Sequence, residues 1–156
     1  MKCKLLLASA LVSVLIGTVQ AAPLVVSEPW IRAMPSTSRV IPIFFKLHNK
    51  SVEDRALVAI KSSRGDVAIH ETVAADGMMK MQPIEVLTIS AGQHVMLKPG
   101  GYHGMMSHFT EGVPQEGDLV LVTLVYANGE EQDVHIEVVR KMNTGMAMSS
   151  HATHGS

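Results

Sequence analysis

The chain has 156 residues, of which 47% are hydrophobic and 17% are charged. Its 13 basic and 14 acidic residues nearly balance, and three Phe, two Tyr and one Trp leave little aromatic surface for stacking on bases. These values argue against nucleic-acid binding, which requires a basic surface, and they fit one globular domain with a sizeable core.

The first 21 residues have the pattern of a secretory signal peptide. Lys2 and Lys4 give a positive start, an apolar run follows over residues 5–16, and small residues lead to Ala21. We therefore expect cleavage after Ala21 and a periplasmic location. The apolar run is shorter than the roughly 20 residues that span a bilayer, so we expect no membrane anchor. Because no cysteine ends the signal, we expect no lipid anchor either.

Cleavage at this position removes Cys3, the only cysteine of the chain. The expected mature protein has 135 residues, with 11 basic and 14 acidic side chains. It contains no thiol and no disulfide, so its fold must rest on its hydrophobic core. The same loss excludes cysteine nucleophiles and thiolate metal sites.

The middle of the chain consists of short β-favouring runs separated by turn signals. The turn signals include Asn128-Gly129, typical of a β-hairpin, and the breaker Pro99-Gly100-Gly101. No long segment has a helical period, and several short strands in succession indicate an all-β sandwich or barrel. We predict one domain over residues 22–141. The predicted strands are 41–48, 55–61, 67–70, 84–89, 94–98, 118–126 and 134–139.

Residues 142–156 form a small, polar tail without hydrophobic periodicity, which we expect to be disordered. The tail is nevertheless rich in side chains that bind metals, and such tracts are typical of accessory metal binding. A tail without function is the alternative. The candidate accessory ligands are Met142, Met146, Met148, His151 and His154.

Four side chains form the main candidate metal site: His70, Met81, His103 and Met105. Thioether sulfur is soft and uncharged, and together with imidazole it suits Cu(I). His103 and Met105 lie two residues apart, so in a strand they project from one face. We expect His70 at the end of a strand and Met81 at the border of a loop over residues 75–80. The imidazoles bind metal only when they are neutral.

Other methionines and histidines are weaker candidates. Alternation in a strand places Met106 on the opposite face from Met105. His94 and Met96 form a second His-x-Met pair, which we expect to point outward without partners. The remaining candidates are Met78 and Met79, as substitutes for Met81, and His108, as a weak accessory ligand.

The spacing of the four ligands resembles that of the PCuAC-type periplasmic copper(I) chaperones. The flanking segments 29–35, 47–49, 79–81 and 97–103 are similar to that family too, and the resemblance extends from about Pro29 to Val139. Segment 41–45 departs from the family, which has a small residue and a tyrosine there. We expect this segment to lie away from the ligands.

The resemblance implies a cupredoxin-like Greek-key fold that holds one Cu(I) through His70, Met81, His103 and Met105. It also implies delivery of copper to the copper centre of cytochrome oxidase, with copper-donating and copper-accepting proteins of oxidase assembly as partners. The tail, which occurs in part of the family, is a candidate Cu(II) site because imidazole favours that ion more than thioether does. We expect a monomer that is neither an enzyme nor a membrane protein.

Other classes of protein fit the sequence less well. An electron-transfer cupredoxin needs a cysteine thiolate, and a zinc module would use Asp, Glu or Cys beside His. Nothing in the sequence indicates the substrate pocket of a copper enzyme. A general copper storage or resistance protein, and a structural β-sandwich without a metal, remain the alternatives.

Overall fold

The computed structural model describes residues 24–140, which form ten β-strands and no helix. The predicted signal peptide and the Met/His-rich tail lie outside the described residues. The strands are β1 (Val25–Arg32), β2 (Val40–His48), β3 (Arg55–Lys61), β4 (Asp66–Ala75), β5 (Met78–Pro83), β6 (Leu87–Ile89), β7 (His94–Leu97), β8 (Tyr102–Ser107), β9 (Leu119–Tyr126) and β10 (Glu131–Val139).

Seven of these strands close into a ring in the order β4, β8, β2, β1, β10, β9, β3 and back to β4. The pairing of β1 with β10 is parallel, and the other pairings around the ring are antiparallel. Strands β5, β7 and β6 extend the sheet beside β4, β2 and β3. The prediction of an all-β sandwich or barrel is confirmed.

The core fills the inside of this ring with side chains from alternate strand positions. In β2, for example, Ile41, Ile43, Phe45 and Leu47 are at most 2% exposed. Burying each large apolar side chain contributes about 1.5–3 kcal/mol. Within the described residues no cysteine is present, so this burial holds the fold together without disulfides.

Strand β4 is longer than predicted and continues into a hairpin. It extends to Ala75, and a tight turn at Asp76 and Gly77, with φ of 53° and 75°, leads directly into β5. The expected loop over residues 75–80 is therefore wrong. Asp-Gly favours the positive φ values of a type I′ turn, and this signal was present in the sequence.

Strands β7 and β8 together form one interrupted strand along β2. β7 pairs with residues 45–48 of β2, and β8 pairs with residues 40–43 of the same strand. The four residues 98–101 between them leave the sheet as a turn, closed by hydrogen bonds from Gly101 N to Lys98 O and from Lys98 N to Tyr102 O. The predicted Pro-Gly-Gly breaker thus forms a loop within a strand.

Gly65 allows the start of β4 to pack closely against the end of β8. A Cβ atom at this position would lie 2.5 Å from the carbonyl oxygen of Ser107. That distance is too short for any side chain, so the backbone would have to move. Gly65 therefore supports the pairing of β4 with β8.

We expect Gly65→Ala to lower the free energy of unfolding by about 2 kcal/mol, because the added methyl group forces these two strands apart. Chemical denaturation measures the change. Gly101→Ala is the control, since a Cβ there has no neighbour nearer than 3.6 Å and the φ is not positive. Equal stability of the two variants would contradict this account of the packing.

Candidate metal centre

The antiparallel pairing of β4 with β8 places His70 directly opposite His103. Met105 lies two residues further along β8, opposite Ala68. Side chains of paired residues share one face of a sheet, and so do residues two apart on a strand. His70, His103 and Met105 therefore project from the outer face, while Met106 is fully buried in the core as predicted.

The two imidazole rings lie close and nearly parallel. Their centroids are 6.0 Å apart, and the ring planes differ by 21°. Thr72 N donates a hydrogen bond to Gly101 O, so these two residues form a hydrogen-bonded pair of the ladder. Hydrogen-bonded and non-hydrogen-bonded pairs alternate, so His70 and His103, two pairs away, are also a hydrogen-bonded pair, with Cα atoms about 5.5 Å apart. The backbone ladder therefore sets the distance between the rings.

The hairpin after β4 brings Met81 to the same outer face. Met81 pairs with Thr72, which lies two residues beyond His70 on β4. Met81 thus lies within β5, and His70 lies in the middle of β4. Both are held more firmly than they would be at a loop border and at a strand end, where they were expected. The Met81 side chain is 63% exposed, whereas His103 is only 5% exposed.

The alternative thioethers occupy different positions on β5. Met79 pairs with Ala74 and shares the outer face, two pairs further along the ladder from His70 than Met81 is. Met78 pairs with Ala75 and projects from the opposite face. The register therefore favours Met81 over both neighbours.

A cavity of about 270 Å³ lies on this outer face. Three of the four candidate ligands line it, and His70, which is not among the lining residues, stacks on the ring of His103. The turn within the interrupted strand lines the cavity with Pro99 and Gly100. The other lining residues are Arg32, Met34, Val40, Pro42, Phe44 and Thr72.

The backbone holds the His103 ring in one orientation. Its Nδ1 lies 2.9 Å from Gly101 O, and because a carbonyl oxygen only accepts, Nδ1–H must be the donor. The neutral ring then carries its free lone pair on Nε2. His70 Nδ1 makes a longer contact of 3.4 Å with Ala68 O. Such contacts fix the tautomer of a metal-binding histidine.

An apolar and aromatic wall borders the cavity on the β1 and β2 side. The rings of Trp30 and Phe44 are 4.5 Å apart, and the Arg32 guanidinium lies 5.7 and 5.9 Å from their centroids. Pro42 pairs with Met105. The expectation that segment 41–45 lies away from the ligands is therefore wrong, since Pro42 and Phe44 line the cavity.

Met34, which was not among the ligands predicted from the sequence, also lines the cavity. Met34 follows β1 and packs partly against the core. Met34 could have been identified from the sequence, because it lies two residues after Arg32 in segment 29–35, which is part of the family resemblance. Three methionines, Met34, Met81 and Met105, thus border one cavity.

The remaining candidates lie elsewhere or outside the described residues. The His108 side chain is 81% exposed, and its Nδ1 is 3.2 Å from an Asp66 carboxylate oxygen instead of facing the cavity.

Burial raises the pKa of Tyr102, beside His103, and the carboxylate of Glu71 raises it further. In residues 24–140, no three His, Cys, Asp or Glu side chains converge as a metal site.

The chain belongs to the LpqE-like family. The model of this family, described as "Putative lipoprotein LpqE-like", matches residues 24–138 and therefore nearly all of the described domain. No curated protein matches the sequence. Among the described residues, no helix is long and apolar enough to cross a membrane.

Solved structures of PCuAC domains share the fold. The copper-bound PCuAC domain from PmoF2 superimposes with a TM-score of 0.64 at 17% identity, covering 78% of this chain and 97% of that domain. The Cu(I) form of DR1885 from Deinococcus radiodurans gives 0.63 at 25% identity, covering 81% of this chain and 85% of that one. The predicted cupredoxin-like fold and the predicted relationship to PCuAC-type copper(I) chaperones are confirmed.

Proposed function

We propose that this protein is a periplasmic copper chaperone that holds one Cu(I) through His70, Met81, His103 and Met105. The observation that carries the proposal is the shared outer face of β5, β4 and β8, which presents two imidazoles and two thioethers beside one cavity. Two of the similar structures, the copper-bound PCuAC domain from PmoF2 and the Cu(I) form of DR1885, support copper as the cargo.

The chemistry of the donor set favours the reduced ion. All four donors are neutral, so the bound centre would keep a charge of +1, and soft thioethers prefer Cu(I) to hard ions. Thioethers need no deprotonation and cannot be lost to disulfide formation, which suits an oxidising compartment. The Nδ1–H tautomer of His103 leaves Nε2 available for the metal.

The unequal exposure of the ligands suits a carrier that must release its cargo. His103 is buried and held by the Gly101 carbonyl, while Met81 lies on the exposed β4–β5 hairpin. An incoming ligand from a partner would displace Met81 first and the buried imidazole last. Stepwise replacement of this kind transfers copper without releasing a free ion, and it requires no catalytic residue in this chain.

The resemblance to PCuAC-type chaperones supports delivery to the copper centre of cytochrome oxidase, through exported or membrane-anchored assembly proteins. General copper storage or resistance would use the same ligands without a dedicated acceptor. Exposure of Met81 favours transfer over storage, because a storage site gains nothing from an accessible ligand.

We expect alanine at any of the four ligand positions to weaken Cu(I) binding by roughly tenfold or more, which corresponds to about 1.4 kcal/mol. Competition with a chromophoric Cu(I) chelator measures the affinity. Met79→Ala is the matched control, since Met79 is 64% exposed and shares the face of Met81. Unchanged affinity in all four variants would leave the structural β-sandwich as the better interpretation.

The tail is proposed as a separate Cu(II) site, with His151 and His154 as imidazole donors and its methionines available to Cu(I). Truncation after Lys141 should abolish Cu(II) binding and leave Cu(I) affinity within twofold. Titration followed by electron paramagnetic resonance detects the Cu(II). Loss of Cu(I) binding on truncation would mean that the tail completes the main site.

A further inference from the structure

A second His-x-Met pair lies on β7, where His94 and Met96 were expected to project without partners. That expectation is wrong for His94, because the pairing of β2 with β7 places His48 directly opposite it. Val95 packs against the core and Leu97 is 1% exposed, so the intervening positions face inward. His48, His94 and Met96 therefore share the outer face.

The hydrogen-bond ladder brings the two histidines close together. Asn49 N donates to Gln93 O at 2.9 Å, which makes Asn49 and Gln93 a hydrogen-bonded pair. Pairs alternate along an antiparallel ladder, so the adjacent pair, His48 and His94, is of the narrow kind, with Cα atoms about 4.5 Å apart. At this spacing, two imidazoles can bind one ion.

The arrangement repeats that of the main candidate centre. In both places a His-x-Met pair on one strand stands with its histidine opposite a histidine of the neighbouring antiparallel strand. In both places the His-x-Met strand lines a cavity, which measures about 430 Å³ beside His94 and Met96. The donors are again imidazole and thioether, which suit Cu(I).

The nearby charges are two of each sign: the lysines Lys46 and Lys98, and the carboxylates of Glu28 and Glu71. Lys46 pairs with Met96, but its Nζ lies 2.5 Å from a Glu28 carboxylate oxygen, which neutralises it. Glu28 sits at an irregularity of β1 with a φ of 51°, and this places its carboxylate beside β2. Glu71 adds a carboxylate to the lining of the same cavity.

We propose that His48, His94 and Met96 form a second Cu(I) site, distinct from the main centre around His103. Pro42, beside the main centre, and His48 are six residues apart on β2, a span of roughly 20 Å. The two sites therefore share no ligand, and each can fill without the other. Two copper ions per folded domain would follow from occupation of both.

Nuclear magnetic resonance of the mature chain, residues 22–156, titrated with Cu(I) under anaerobic conditions, tests this proposal. The methyl signal of each methionine reports its own site, so binding at the main centre moves Met105 and binding at the second site moves Met96. We expect Met96 to shift as Cu(I) is added beyond the first equivalent, and His94→Ala to abolish that shift while leaving the Met105 response intact.

His135→Ala is the matched control, since His135 is an exposed strand histidine whose neighbour across the ladder is Leu121. It should leave the Met96 shift unchanged. In Met96→Leu, which retains an apolar side chain, the ring signals of His48 and His94 should respond to Cu(I) more weakly than in the parent chain. A Met96 signal that stays fixed in excess Cu(I), or shifts equally in His94→Ala, overturns the second site whatever Met105 does.

Discussion

The proposed chemistry depends on the antiparallel ladder between β4 and β8. This ladder sets His70 opposite His103 and fixes the distance between the rings, and it places Met105 on the same face. A shift of register by one residue would turn His103 and Met105 inward and bring Gly104 outward. Gly65, packed against Ser107, and the hydrogen bond from Thr72 N to Gly101 O hold that register.

The rest of the centre is built onto this ladder from two sides. The β4–β5 hairpin adds Met81 as an exposed thioether, and the turn within the interrupted strand adds Pro99 and Gly100 over the cavity. β1 and β2 supply an aromatic wall with Arg32 stacked on it. A site with one deeply held imidazole and one accessible thioether combines retention of the ion with a point of attack for a partner.

Much of the fold follows from local patterns in the sequence. Short apolar runs identified β2, β3 and β9 to within one residue at each end, because each packs one face on the core, whereas β10 begins at Glu131, three residues before its predicted start. β1 was not predicted, since the irregularity at Glu28 interrupts its alternation. β5 was not predicted either: every residue in it is exposed, and its methionines carry no β-branched signal.

The candidate site could be predicted only in part, for a similar reason. Two-residue periodicity places His103 and Met105 on one face, but the partner of each strand is a long-range property that no local pattern contains. The sequence therefore did not reveal that His48 faces His94, or that Pro42 and Phe44 border the main cavity. Donor chemistry and family resemblance together selected the four ligands, and the register explains how they come to share a face.

X-ray absorption spectroscopy of the mature protein, residues 22–156, loaded with less than one equivalent of Cu(I), tests the central claim most directly. We expect a copper ion bound by both nitrogen and sulfur, with the sulfur contribution reduced in Met105→Ala and the nitrogen contribution reduced in His103→Ala. A first shell of nitrogen and oxygen alone, unchanged by either substitution, would contradict it.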